Sequence, residues 1–119
     1  MYRVIKSDDT RLQENLDGKY ELIYFSCDGS ATIAGVDVIF FNFNEELRRN
    51  IEGNNYFTSD GYLYDGYSIT GTFRYVPQIL NETQIIELDN LRNLNLKFFD
   101  VNQNSITCEN WVMILKKII

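Results

Sequence analysis

The side chains that could do chemistry in this sequence are carboxylates, tyrosines, lysines and two cysteines, because histidine is absent. Without histidine the chain lacks the commonest general base and the usual Ser-His and Cys-His nucleophile pairs. It also lacks the ligand that most catalytic zinc sites use. No motif singles out any remaining group for catalysis. We therefore predict a protein that is not an enzyme and that holds no metal and no cofactor.

The acidic residues fall into adjacent pairs and into turns. Asp8 with Asp9, and Glu45 with Glu46, stand at the starts of two expected helices, where carboxylates favour the positive end of the helix dipole. Neighbouring residues on a helix do not face each other, so neither pair forms a ready catalytic dyad. A third group lies in turns and lacks the spacing of an EF-hand calcium loop. Its members are Asp28, Asp60 and Asp65.

Tyrosines concentrate in the stretch 56–75, where two interpretations stay open. Tyrosine offers a large contact area with a polar tip, so the group could form a protein-binding face or line a ligand cavity. Alternatively, the rings are ordinary cross-strand aromatics that stabilise a sheet. The group consists of Tyr56, Tyr62, Tyr64, Tyr67 and Tyr75, with Phe57 and Phe73 interleaved.

Charge narrows the classes of partner. The net charge is −6, and residues 1–60 carry eleven acids against six bases. This charge repels a phosphate backbone, and no basic run is longer than Lys116-Lys117, so we expect no direct binding to nucleic acid. A basic protein is the electrostatically compatible partner. The other interpretation is that the charge only aids solubility.

The elements that must position these residues are mainly strands. Alternating apolar residues predict a strand at 19–27, ended by Asp28, and the apolar run 36–43 predicts a strand covered on both sides. The dipeptides Asp60-Gly61 and Asp65-Gly66 predict turns, and Pro77 ends the strand that follows them. Further strands are expected at 67–75, with Gly71 at a bulge or bend, and at 83–88, 94–98 and 106–119. Segment 83–88 would also suit one side of a helix.

Two short helices are also expected. In the first, Ser7 caps the start, Leu12 and Leu16 form an apolar stripe four residues apart, and Gly18 ends the helix. The second covers 44–53, where Leu47 and Ile51 have the same spacing. The fold class is therefore all-β or β-rich α+β. We expect a single domain over 1–119, an antiparallel meander of about eight strands closing into a barrel or half-barrel.

The sequence also carries expectations about location and redox state. Asp8 and Asp9 precede any apolar region that would resemble a signal peptide, and no run is long enough for a membrane span, which favours the cytoplasm. An introduced Met1 in place of a removed leader would leave a secreted protein possible. Cys27 and Cys108 lie in no metal-like spacing, so we expect reduced packing residues. A disulfide between the first and last strands is the alternative.

The segment 16–22 resembles the opening of lipocalin-like barrels, in which a Gly-x-Trp motif begins the first strand. Here Gly18 matches the glycine and Tyr20 stands where the tryptophan would be. The later meander and the closing strand with Trp111 are similar to the small bacterial lipocalin-like domains. The resemblance implies a β-barrel and, as a function, transport of a small apolar ligand.

The expected function is a bacterial or phage protein-binding module that blocks a basic partner, as immunity proteins, antitoxins and phage-encoded inhibitors do. Such a module needs no catalytic group, and its acidic half would steer association. The alternative is a lipocalin-like carrier with an apolar cavity. A third possibility is an enzyme built on carboxylates or tyrosines. The candidate protein-binding residues are Asp8, Asp9, Glu45, Glu46, Asp60 and Asp65, with Tyr62, Tyr64 and Tyr67 as anchors.

Overall fold

The computed structural model describes residues 1–9, 11–28, 38–43, 48–49, 57–64 and 72–118. These ranges contain β-strands and no helix, so the β-rich fold class is confirmed, in its all-β form. The strands are β1 (Tyr2–Lys6), β2 (Arg11–Asp28), β3 (Val38–Phe43), β4 (Arg48–Arg49), β5 (Phe57–Thr58), β6 (Gly61–Tyr64), β7 (Thr72–Tyr75), β8 (Ile85–Asn93), β9 (Leu96–Phe99), β10 (Ser105–Ile106) and β11 (Glu109–Lys117).

All the strand pairs are antiparallel and they form two main sheets. The first sheet has the order β1-β11-β2-β7, with β8 also paired to β2, and it curls into a half-barrel. The second sheet has the order β10-β9-β3-β6, and β4 pairs with β5 alone. Among the described strands, β1 is therefore at one edge of the first sheet and β6 at one edge of the second.

Strand β2 organises the first sheet because it has partners on both sides. On one side, its residues from Tyr20 to Asp28 pair with β11. On the other side, its first part pairs with β8 and its last part with β7. Between these two, the Leu22 N–H donates to the Gln84 C=O at 2.9 Å. The link from β7 to β8 therefore continues the pairing along β2.

Two irregularities in β2 explain why its sequence is apolar on both faces. The pairing with β11 shifts between Leu22 and Tyr24, so the buried side changes from Tyr20 and Leu22 to Phe25 and Cys27. A bulge has this effect because side chains alternate with period two and one extra residue reverses the alternation. A second shift near Gly18 coincides with its φ of 106°, which glycine adopts without steric cost.

The core fills the space inside the sheets with large side chains. The largest fully buried ones come from β1, β2, β3, β6, β7, β8 and β11, so both sheets contribute to it. Trp111 stacks against Phe25 with ring centroids 6.4 Å apart, and Phe98 contacts both rings. The fully buried set is Tyr20, Tyr75, Phe25, Phe41, Ile5, Leu16, Leu22, Ile39, Leu63, Ile86, Met113 and Leu115.

The prediction of an opening helix is wrong. Ser7 and Asp8 lie in a turn, and β2 begins at Arg11 and runs through Leu12, Leu16 and Gly18. A spacing of four residues places side chains on one face of a helix, but four is even and also places them on one face of a strand. The pairing of β2 with β8 decides for the strand.

The second predicted helix is also wrong where the structure describes it. Arg48 and Arg49 form β4 and pair with Thr58 and Phe57. The rest of 44–53 lies outside the described residues, as do Gly71 and the Asp65-Gly66 turn. Gly61 opens β6 instead of completing a turn.

Other strand predictions are confirmed. Within the segment 83–88, residues 85–88 lie in strand β8 and no residue is helical, the strand β7 ends before Pro77, and the closing strand buries Trp111, Met113 and Leu115. No helix among the described residues has the length and apolar character needed to cross a membrane.

Cys27 and Cys108 are both free, and their side chains are hydrogen-bonded to each other. The hydrogen bond from the Cys108 thiol lowers the pKa of Cys27 and raises that of Cys108. Cys27 is buried and Cys108 half-buried, so both act as packing residues in the reduced protein.

We predict that diamide, which takes up the two thiol hydrogens, converts this pair into an intramolecular disulfide. The bond would close a loop of most of the chain and stabilise the fold by about 4 kcal/mol in the chain-entropy model. Intact mass spectrometry detects the loss of the two hydrogens. Urea unfolding with and without reductant measures the change in stability. Cys27→Ser is the control. An oxidised wild type that keeps both thiols would contradict the prediction.

Gly61 has no room for a side chain. A Cβ there would lie 2.7 Å from the Phe41 Cε2 atom and 2.7 Å from the Gln84 Oε1 atom. We predict that Gly61→Ala lowers the free energy of unfolding by about 1–3 kcal/mol through overpacking, as measured by urea denaturation. In a Phe41→Leu background the same substitution should cost less, because the ring is gone. Equal costs in both backgrounds would contradict this reason.

Candidate functional site

Strand β6 presents two tyrosines at the edge of the second sheet. Gly61 and Leu63 point into the core, which leaves Tyr62 and Tyr64 on the opposite face. The two rings stack with centroids 6.3 Å apart and planes 13° from parallel. Tyr62 is 37% exposed. We call Tyr62 and Tyr64 the tyrosine face.

The side chain of Gln84 holds the main chain of the tyrosine face. The Tyr62 N–H donates to Gln84 Oε1 at 2.6 Å, and Gln84 Nε2 donates to the Tyr62 C=O at 2.8 Å. A neighbouring antiparallel strand would make the same two hydrogen bonds to the main chain of an edge residue. Gln84 therefore blocks the edge of β6 at Tyr62 and fixes the position of that residue.

Glu82 holds the phenol groups below the face. The Tyr75 hydroxyl donates to Glu82 Oε2 at 2.9 Å, and the Tyr64 hydroxyl also hydrogen-bonds to Glu82. That hydrogen bond is the main reason why the pKa of Tyr64 rises to about 12. Burial raises the pKa of Tyr75, with Glu82 adding to the effect. The Tyr64 ring also meets the buried Tyr75 ring edge-on at 5.3 Å.

Asp60 ties β6 to β3 and is only half-exposed. Its carboxylate accepts a hydrogen bond from the Phe43 N–H at 2.7 Å, and its own N–H donates to Asn42 Oδ1 at 2.6 Å. The side-chain oxygen of the buried Asn42 therefore has a hydrogen-bond donor, the N–H of Asp60. Because Asp60 directly precedes β6, these two bonds help to position the strand that carries the tyrosine face.

The structure divides the predicted site residues between two places. Tyr62 and Tyr64 lie on β6 and Asp60 directly precedes that strand, whereas Asp8 and Asp9 lie in the turn after β1, a strand of the first sheet. Asp9 closes that turn, since its carboxylate accepts from the Lys6 N–H at 2.9 Å. Four predicted residues lie outside the described residues. They are Glu45, Glu46, Asp65 and Tyr67.

Sequence reasoning missed Glu82 and Gln84, although one signal pointed to the glutamine. From Gln84 onward into β8, every second residue is buried. Gln84 is the polar member of this buried series, and Ile86 and Leu88 follow it. A polar residue in a buried phase needs a hydrogen-bonding partner. The identity of that partner, the main chain of Tyr62, follows only from the packing of the sheets.

A concave region lies beside β1, apart from the tyrosine face. It is a cleft of about 380 Å³ between β1 and the beginning of β2. Charged side chains line its walls, and buried apolar side chains contribute to its lining. The charged residues are Arg3, Asp9, Arg11 and Glu14, and the buried apolar ones are Ile5 and Leu16.

Comparison with known proteins finds no match to this chain. The chain matches no protein-family model, no curated protein and no solved structure. Across the described ranges, no three Cys, Asp or Glu side chains come together as metal ligands. The function must therefore be inferred from the geometry.

Glu82 should control how the tyrosines respond to alkali. Because the pKa of Tyr64 is raised from 10 to about 12 in the folded protein, its stabilising contribution is complete below pH 10 and is lost as the pH rises towards 12. We predict that Glu82→Gln lowers this pKa, since the negative charge is removed. Titration of tyrosinate absorbance measures it, with the exposed Glu87→Gln as control. An unchanged titration in Glu82→Gln would contradict the assignment.

Proposed function

We propose that this chain is a non-enzymatic, acidic protein-binding module that blocks a basic partner through the tyrosine face. The observation that carries the proposal is the stacked pair of Tyr62 and Tyr64, held by Gln84 and Glu82 before any partner arrives. Binding with side chains that are already ordered avoids much of the entropy cost of forming an interface. Tyrosine is also among the residues most enriched at binding hot spots.

Electrostatics favours a basic partner. The chain carries a net charge of −6, and Glu82 places a carboxylate beside the hydroxyl groups of Tyr64 and Tyr75. A negative field of this kind raises the association rate with a positively charged surface and weakens as salt is added. An inhibitor such as an immunity protein, an antitoxin or a phage-encoded inhibitor, acting in the cytoplasm, agrees with these properties.

The alternative of a lipocalin-like carrier receives less support. A carrier of an apolar ligand needs a predominantly apolar cavity. The cleft beside β1 is lined by four charged and five apolar or aromatic side chains, so it is not predominantly apolar, and large aromatic rings fill the described core. The resemblance to lipocalin-like barrels therefore stays a prediction about the fold, without a ligand site to accompany it.

The test is to isolate the untagged protein from its own cell by native mass spectrometry and to identify a basic protein that accompanies it. With that partner purified, we predict that Tyr62→Ala weakens binding at least tenfold, about 1.4 kcal/mol or more, as expected for a hot-spot residue. Isothermal titration calorimetry measures the affinity. Tyr24→Ala, a half-buried tyrosine of the first sheet, is the matched control and should bind as the wild type does.

Equal affinities for Tyr62→Ala and the wild type would remove the tyrosine face from the interface. A small apolar molecule bound to the isolated protein, with no partner protein, would favour the carrier instead. If the affinity for the partner does not decrease when salt is added, the electrostatic part of the proposal is contradicted.

A further inference from the structure

Strand β1 has one paired side and one open side. The Lys117 N–H donates to the Met1 C=O at 2.9 Å and the Ser7 N–H donates to the Trp111 C=O at 3.0 Å. In an antiparallel ladder, residues that bond to one neighbour alternate with residues that face away from it. The odd residues of β1 therefore bond to β11, and Tyr2, Val4 and Lys6 direct their main-chain groups to the other side.

On that open side, the hydrogen bonds among the described residues cap only the last residue of β1. The Lys6 N–H donates to the Asp9 carboxylate, and the Lys6 C=O accepts from the Asp9 N–H at 3.0 Å. No strand in the described part of the chain pairs with Tyr2 or Val4 there. Their side chains are 60% and 53% exposed. An edge with unpaired main chain and exposed apolar side chains is a template for another strand.

The beginning of β2 forms the opposite wall of the cleft. Arg3 crosses from β1 with its whole side chain, donating to Glu14 Oε2 at 2.9 Å and to the Asn15 C=O at 3.3 Å. Contact through a long side chain, without any main-chain pairing, shows that the two strands stand too far apart to join directly. The cleft of about 380 Å³ separates them, and the Arg3 side chain spans it.

The charges around the cleft favour an acidic occupant. Glu14 is paired with Arg3, and Asp9 is engaged by the Lys6 main chain. Arg11 lines the cleft and is exposed, and Lys116 lies over the Tyr2 ring at 5.9 Å. Counted together, the cations at this edge, Arg3, Lys6, Arg11 and Lys116, outnumber the carboxylates there, which are Asp8, Asp9 and Glu14. A second copy of this chain would bring Lys6 of one copy towards Lys116 of the other, which like charges oppose.

We propose that the free edge of β1 binds an extended peptide segment in which apolar and acidic residues alternate. The segment would add a strand to the half-barrel by bonding to the Tyr2 and Val4 main chain. Its apolar side chains would point into the cleft, towards Leu12 and Ile5. Its acidic side chains would point outward, towards Lys6 and Lys116. This site is separate from the tyrosine face and does not depend on it.

A labelled peptide tests the proposal on the intact chain. The probe is acetylated, fluorescein-labelled Glu-Val-Glu-Val-Glu-Val, and fluorescence anisotropy measures its binding. Val4→Pro removes only an N–H that faces away from β11, a position where edge strands accept proline. We expect Val4→Pro to weaken binding at least tenfold, while Val4→Thr, which keeps the N–H and the shape, stays within about threefold of the wild type.

Two further comparisons separate main-chain pairing from charge. On the wild type, a fully N-methylated peptide and a peptide with lysine in place of glutamate should both fail to bind. Arg11→Glu should weaken binding of the acidic peptide, and Lys97→Glu, which makes the same change in charge on the second sheet, should not. Hydrogen exchange at Tyr2 and Val4 should slow when the peptide is added.

Several outcomes would overturn the proposal. These are equal binding of the peptide and its N-methylated form, equal binding by Val4→Pro and Val4→Thr, or no binding at about 1 mM peptide. A dimer in sedimentation that Val4→Pro dissociates would assign the edge to a second copy instead. If Val4→Pro does not fold, the N-methylated peptide on the wild type decides. Tyr62→Ala should leave peptide binding unchanged, which separates this site from the tyrosine face.

Discussion

The two hydrogen bonds between the Gln84 side chain and the main chain of Tyr62 are the contact on which much of the remaining architecture depends. The Gln84 main chain continues the pairing of the first sheet along β2, through the Leu22 N–H. One residue therefore belongs to one sheet by its main chain and to the other by its side chain. Gly61 has to be glycine because the Phe41 ring and the amide oxygen of Gln84 together occupy the space that a Cβ would need.

The bulges in β2 are the second constraint. A strand of 18 residues with strict alternation would present one continuous face to the core and would extend beyond a domain of this size. The shift near Leu22 and the positive φ of Gly18 bend the strand and change its buried side. As a result, β2 pairs with β11, β8 and β7 in succession, and its first residues curve around to face β1. The cleft exists because this closure is incomplete.

The two sheet edges are treated differently, and this difference relates the fold to the proposed functions. The edge of β6 is capped by a side chain that copies a strand, so its tyrosines are held still and its main chain is occupied at Tyr62. Within the described part of the chain, the edge of β1 is capped only at Lys6, which leaves the main chain of Tyr2 and Val4 available. The first edge suits recognition by side chains, and the second suits recognition by the main chain.

The sequence by itself determined the β class, the strand at 19–27, a strand within 36–43, the end of a strand before Pro77 and the buried closing strand, and it left 83–88 open between a strand and a helix. These features follow from local alternation, from a long apolar run and from the conformational restriction of proline. It misjudged the region of Leu12 and Leu16, because a spacing of four fits both a helix face and a strand face. Only the tertiary structure decided that question, by pairing the segment with β8. It likewise decided the site, because the partners of Tyr62 and Tyr64 come from the link between β7 and β8, and long-range pairing of this kind leaves no periodic signal in the chain.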